Sequence, residues 1–208
     1  ATTSGESRWI SSPEGRERSL ELREEHNAIL VGSGTALADN PRLDRRLGFA
    51  QGPNLRVVLD RRLRTPRDSA LLDVAGLLLF YTENSDAHRQ AELRSRGAEV
   101  ILLSSVTPRA VLDDLFARGI RTLLVEGGGE VLASFVGSGL FDRVAIDAAP
   151  ILLGGRGAPS PVGGLGVGSL AEAPRLEGLH VSPLGVDLAI DALRAGVIDA
   201  LRADLRRL

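Results

Sequence analysis

The alternation of apolar and polar positions divides the chain into short aliphatic runs separated by charged stretches. The runs "AILVG" (28–32), "LRVVLD" (55–60), "LLLFY" (77–81), "EVILL" (99–103) and "TLLVEG" (122–127) are rich in aliphatic and β-branched residues. Several are too uniformly apolar for a half-exposed strand and predict a sheet covered on both faces. Between them, 85–97 and 107–119 show helical spacing, a cap-like residue at the start and glycine at the end. That alternation predicts an α/β fold with mainly parallel strands and right-handed crossovers. Ser12-Pro13 reads as a helix start, and in the charged run to about His26, Glu14 and Arg18 are spaced to pair on a helix.

Past residue 140 the pattern changes. Residues 142–155, 175–182 and 186–193 read as strands with no helix between them, so the sheet is expected to be mixed, with an antiparallel edge. The glycine- and proline-dense stretch 154–169 predicts a long irregular loop rather than a linker, because apolar strands resume beyond it. In 197–208, Val197, Ile198, Leu201, Leu205 and Leu208 share one helical face, which predicts a terminal helix. One domain spanning 1–208 is expected.

Composition narrows the function classes. A net charge of -2 without a concentrated basic tract argues against a nucleic-acid binder. With no cysteine there is no disulfide framework, thiolate zinc site or cysteine nucleophile. His26, His88 and His180 lie far apart without metal-ligand spacing, so no metal site is expected. No apolar run approaches the roughly 20 residues that span a bilayer, and no signal peptide opens the chain, which reads as cytoplasmic with no membrane partner. The chain lacks methionine, so Ala1 is not expected to be the first residue of the gene product. Lysine is absent too, and every cation is arginine, a planar donor suited to phosphate and carboxylate.

The candidate chemistry lies at two strand exits. In "TLLVEGGGEVLASFVGSG" (122–139) an apolar run ends in Glu126, and Gly127, Gly128 and Gly129 lead into a helical pattern. A glycine-rich turn beyond a strand's carboxyl end can bring backbone N–H groups to a phosphate, although a tight turn without a ligand has the same pattern. The dinucleotide-binding fingerprint does not fit, because the sixth position from Gly127 is Leu132. Glu126 reads either as a hydrogen-bonding or proton-handling group or as a solvated surface acid. The second exit, 29–43, runs through the small, turn-forming residues Gly32-Ser33-Gly34-Thr35 to Asp39-Asn40-Pro41, which reads as a turn. Arg42, Arg45 and Arg46 follow as a cationic group able to hold a phosphate monoester, and Arg61, Arg62 and Arg64 form another after Asp60. A plain solvated surface is the alternative for both.

Taken together, "TTSGESRWISSPEGR", "AILVGSGTALADNPRLDRR", "LRVVLDRRLRTP" and "TLLVEGGGEVLASFVGSGLFDRVAIDAAPILLGG" resemble the pyrimidine reductase of riboflavin biosynthesis, a relative of dihydrofolate reductase, over roughly residues 1–190. The resemblance implies a dihydrofolate-reductase-like fold, a mixed and mostly parallel sheet flanked by helices. It implies NADPH-dependent reduction of 5-amino-6-(5-phosphoribosylamino)uracil to the ribitylamino product, with NADPH as cofactor and a homodimer as the assembly. It places Ser7, Arg23, Leu43, Arg46 and Glu126 at the substrate. Trp9, Thr35, Asp39 and the turn Gly128, Gly129, Glu130, Val131, Leu132, Ala133 and Ser134 go to NADPH. Arg61 stands where the family usually has a serine near the adenosine 2′-phosphate, and an arginine there also suits that phosphate. The family's first strand and an "SLDG"-like segment are expected before Ala1, and residues 194–208 run past its usual end. Two other readings are a related reductase acting on the diaminopyrimidine or a pterin, and a nucleotide-binding module without catalysis.

Overall fold

A computed structural model describes residues 1–50, 52 and 54–200. The elements are α1 (Pro13–Glu25), β1 (Ala28–Gly32), α2 (Ser33–Asp39), β2 (Leu55–Leu59), a 3-10 turn (Ala70–Asp73), β3 (Leu78–Thr82), α3 (Ala87–Ser95), β4 (Glu99–Leu102), α4 (Pro108–Ala117), β5 (Leu123–Gly127), α5 (Gly129–Gly137), β6 (Arg143–Ala148), β7 (Leu176–Leu184) and β8 (Asp187–Arg194). The chain divides into two compact units. One comprises Leu20–Ser134 and Pro161–Gly164; the other comprises Ala1–Ser19, Phe135–Ser160 and Leu165–Leu208.

The first unit is built on a five-stranded, wholly parallel sheet in the order β4-β3-β2-β1-β5. Its strand register explains why the predicted runs are so uniformly apolar. Val31, Val58, Phe80 and Val100 stand side by side on one face, and Ala36 of α2, Leu71 of the 3-10 turn and Leu93 of α3 join them in a buried cluster. Leu30, Val57, Leu79 and Tyr81 alternate with that row and are buried as well. On their side the Tyr81 hydroxyl donates to Asp114 of α4 at 2.6 Å. Each fully buried Leu or Phe contributes about 1.5–3 kcal/mol, which holds the helices on the sheet. Arg56 is one of several buried polar residues in this interior, its guanidinium donating to the carbonyls of Leu71, Val74 and Gly76 around the 3-10 turn.

The helix signals correspond to real caps. Ser12 Oγ accepts from the Gly15 N–H at 3.1 Å, Asp86 accepts from the N–H groups of His88 and Arg89, and Thr107 accepts from Ala110 with Pro108 opening the helix. The stretch from Ser33 was expected as a turn and is instead the helix α2, closed by Asn40 in the left-handed region. Ser33 and Gly34 favour a turn, but Ala36, Leu37 and Ala38 are good helix formers, and Ala36 adds a buried contact.

The second unit carries an antiparallel sheet in the order β6-β8-β7. Mostly parallel strands with antiparallel ones toward the C-terminus are found as expected, but the antiparallel strands form a separate three-stranded sheet among the described residues rather than the expected edge of one mixed sheet. One of its faces is held by α1 and the residues before it. Arg18 donates to Asp147 and Asp191, and the Ser12 N–H donates to Asp187 at 2.7 Å. The other face shows the row Ile146, Ile190 and Val181 flanked by Leu179 and Leu188, most of it exposed. The strand predicted over 142–155 stops at Ala148; Pro150, without an N–H, and Gly154 and Gly155 at positive φ cannot extend it. Helical conformation begins at Val197, and the remainder of the predicted terminal helix, 201–208, lies outside the described residues.

Candidate functional site

The strand order reverses at β1, with β2, β3 and β4 on one side and β5 on the other. In a parallel α/β sheet, ligands collect beyond the carboxyl ends of the strands that flank such a reversal. Both glycine motifs leave the sheet there, and they touch each other. A Cβ at Gly32 would stand 2.6 Å from Val131 Cγ2, and one at Gly128 would stand 3.0 Å from Thr35 Oγ1. Gly127 and Gly128 have φ of +99° and +69°, a region that glycine enters without steric cost. The N–H groups of Val131 and Leu132 donate to the Gly128 carbonyl, starting α5 directly after the turn.

Glu126 owes its position to a β-bulge. Along the β1–β5 ladder Leu30 pairs with Val125, but Val31 pairs with Gly127, so Glu126 is the extra residue in β5. A bulge re-aims the side chain it carries, which is why an apolar strand can hold an acid next to its end. Its carboxylate is held by Arg23 from the last turn of α1, with Nε to Oε1 at 2.6 Å and Nη2 to Oε2 at 2.8 Å. Burial lowers the Arg23 pKa, but its hydrogen bonds and charge interaction with Glu126, aided by Asp44, raise it overall. The guanidinium also reaches the Asp44 carbonyl at 3.5 Å.

Asp44 organises the arginine loop that follows α2. Its carboxylate accepts from Arg42 Nε at 3.2 Å and Arg46 Nε at 2.9 Å. Burial pushes the Asp44 pKa up, and these two arginines outweigh it, holding the carboxyl below its ordinary value. The Arg42 and Arg46 side chains are 51% and 55% exposed. Arg45, grouped with them in the sequence, instead donates to the carbonyls of Arg23 and His26. Leu43 sits at φ +51° with its side chain in the core cluster, which leaves its backbone as the part able to meet a ligand.

The other expected cofactor residues divide by place. Thr35 lies against Gly128, as above, and Asp39 is exposed at the end of α2. Arg61 is drawn toward the neighbouring strand exits, with Nη2 on the Val106 carbonyl at 3.1 Å and Nε 3.6 Å from Glu83. Arg64, from the same cluster, reaches Ser33 Oγ at 2.9 Å and so stands at the β1 exit. Over the first turn of α5, the Gly163 N–H donates to the Gly129 carbonyl and the Gly164 N–H to Glu130 Oε1, both at 3.0 Å. A Cβ at Gly164 would be 2.9 Å from that of Ala133, and Ser134 Oγ donates to the Val131 carbonyl. Ser7 and Trp9 belong to the second unit. Ser7 is exposed, and the Trp9 ring, 71% exposed, has the Arg16 guanidinium 4.8 Å from its centre.

One residue of consequence was not legible. Glu24, one acid among several in α1, is buried and accepts from the N–H groups of Leu47, Gly48 and Ala50. Its helix shows no strong apolar stripe that would have marked an inward-facing position. Among the described residues no group of three His, Asp or Glu is placed to hold a metal ion, and no helix is long and apolar enough to cross a membrane.

The site can be set beside known proteins. The RibD C-terminal domain family matches residues 1–190, through both units. The riboflavin biosynthesis protein RibD of Bacillus amyloliquefaciens is 36% identical over 93% of this chain and 53% of its own length. The 2,5-diamino-6-ribosylamino-4(3H)-pyrimidinone 5′-phosphate reductase of Methanothermobacter thermautotrophicus is 40% identical over 92% of this chain and 90% of its own. Among solved structures, a deaminase/5-amino-6-(5-phosphoribosylamino)uracil reductase from Thermotoga maritima superposes with a TM-score of 0.77 at 27% identity, over 94% of this chain and 52% of that one. Acinetobacter baumannii RibD gives 0.81 at 25%, over 94% and 54%. The chain thus spans about half the length of the RibD relatives it matches.

Proposed function

Because the chain belongs to the RibD C-terminal domain family, we propose that it uses NADPH to reduce the ribosylamino group of 5-amino-6-(5-phosphoribosylamino)uracil to the ribitylamino product. The observation that carries this reading is the meeting, at the sheet's reversal point, of a clasped carboxylate, a glycine turn and an arginine loop. These are the three kinds of group that a pyrimidine, a dinucleotide and a sugar phosphate need. Both units are taken as one reductase domain, since the family match runs through each of them.

The glycine turn fits a dinucleotide. Side chains at 127 and 128 would be strained by the positive φ, and a Cβ at 128 would crowd Thr35, so bare backbone is what this surface offers. The nicotinamide, when bound, supplies the hydride that no side chain can. Every other task falls to the chain. Gly128 to Ser134 with Thr35 and Asp39 seat the cofactor, and Arg61 offers a cation to the adenosine 2′-phosphate. Arg46, with Arg42 beside it, holds the substrate phosphate. Arg23 holds and aims Glu126, so that its carboxylate accepts hydrogen bonds from the pyrimidine and fixes the ring, while the Leu43 backbone lines the same loop. Anchoring at these remote groups sets the alignment of the sugar C1′ for hydride transfer. By resemblance alone, Ser7 is assigned to the substrate and Trp9 to NADPH.

The assembly is proposed to be a homodimer acting in the cytoplasm. The open row Ile146, Ile190 and Val181 supports the dimer, because a second copy presents the same apolar face for an isologous contact. A second reading is that the substrate is the diaminopyrimidine, favoured by the 40% identity to a reductase named for it, of which the chain spans 90%. Initial rates with the deaminated and the diamino phosphoribosylamino pyrimidines, compared at one NADPH concentration, decide between the two.

A further inference from the structure

We propose that Glu24 is a positioning residue for recognition of the substrate phosphate, clipping the arginine loop to the same turn of α1 that carries Arg23. The inference rests on the reading that Arg46 holds that phosphate.

Between α2 and β2, the described residues 40–50 form no helix or strand, so the loop bearing Arg42 and Arg46 has no backbone ladder to hold it. Glu24 supplies the missing bonds. It is 5% exposed, and its Oε1 accepts from Leu47 at 2.9 Å and Gly48 at 3.2 Å, while Oε2 accepts from Ala50 at 2.8 Å. Arg45 fastens the loop a second time, through the carbonyls of Arg23 and His26. Arg23 closes the arrangement from the other direction, with Glu126 on its fork and the Asp44 carbonyl at 3.5 Å. One helical turn therefore sets the separation between the carboxylate assigned to the pyrimidine and the arginines assigned to the phosphate. A loop already ordered in this way spares phosphate binding the entropic cost of ordering it. A carboxylate is suited to the task because it takes all three N–H groups, whereas an amide accepts through one oxygen only.

The test is a set of steady-state measurements on the full chain with phosphorylated and dephosphorylated pyrimidine. Glu24→Gln is expected to raise KM for the phosphorylated substrate about tenfold, the scale of one well-made hydrogen bond to a charged group. It should change KM for the dephosphorylated substrate and the NADPH Kd little, and Glu24→Asp should recover part of the loss. Gly48→Ala tests the same clip without touching Glu24. Gly48 is at φ +81° with no atom of the described residues within 4 Å of its absent Cβ, so alanine strains the loop backbone, and the same KM split is expected if Glu24→Gln fails to fold. An equal rise of KM for both substrates, or no rise in either variant, overturns the proposal. Arg46→Ala separates the two levels of argument. If it raises KM for the phosphorylated substrate while the clip variants do not, only the role of Glu24 falls; if it does not, the assignment of the phosphate to this loop falls.

Discussion

Arg23 and Glu126 meet as a two-bond pair, one from the last turn of a helix and the other from a bulge in the edge strand β5. Their side chains are 16% and 20% exposed, between an open surface pair and a dry one. Glu126→Gln is expected to cost about 1–2 kcal/mol of stability, more than an exposed pair and less than a fully buried one. It should lower kcat/KM for the pyrimidine at least tenfold and leave the NADPH Kd nearly intact. Thermal unfolding and steady-state kinetics of the variant check both. Unchanged kinetics would remove Glu126 from the site.

The contact between the two strand exits is tight enough to read by substitution. Gly32→Ala drives a methyl to 2.6 Å from Val131, whose branched side chain has little freedom to yield. A loss of about 1–3 kcal/mol is expected, as for other overpacked sites. Gly128→Ala should cost about 1 kcal/mol through its positive φ, and it should weaken NADPH binding more than substrate binding. Isothermal titration with NADPH measures the second effect; equal weakening of both ligands would place the cofactor elsewhere.

Two carboxylates make the arginine loop acid-sensitive. Asp44, facing Arg42 and Arg46, and Glu24, facing three backbone N–H groups and Arg45, both have folded-state pKa values below their ordinary ones. A depressed pKa contributes stability that is fully present above the unfolded values, about 3.9 for Asp and 4.3 for Glu, and is lost as pH falls through the folded ones. Thermal midpoints recorded from pH 7 to pH 3 should therefore fall steeply below about pH 4.5. In Glu24→Gln the midpoint should start lower and fall less, and a curve parallel to the wild type would deny Glu24 its share.

The open face of the antiparallel sheet predicts the assembly. Val181→Glu places a charge in the apolar row with Ile146 and Ile190. Light scattering after size exclusion should show a dimer for the wild type and a monomer for the variant. A wild type that is monomeric at micromolar concentration would contradict the dimer.

Most of the strands were legible because their alternation leaves little choice: Val31, Val58 and Phe80 fill one face while Leu30, Val57 and Leu79 fill the other. The glycine turn and Glu126 were legible as a place, but the bulge that aims the carboxylate is a property of the β1–β5 ladder and has no local signature. Charged groups were the least legible. Arg42, Arg45 and Arg46 look alike in sequence, yet Arg45 donates to the carbonyls of Arg23 and His26 while the other two share Asp44. Arg61 and Arg64 likewise point to different strand exits. Which arginine serves a ligand depends on acceptors far away in the chain, and periodicity carries none of that information.

The most direct test follows absorbance at 340 nm on mixing the protein with NADPH and 5-amino-6-(5-phosphoribosylamino)uracil. The proposed function predicts that NADPH is oxidised in step with formation of the ribitylamino product, and that the rate falls in Glu126→Gln and Arg46→Ala. NADPH that binds yet is not consumed with either the deaminated or the diamino pyrimidine would contradict it, leaving a nucleotide-binding module without this chemistry.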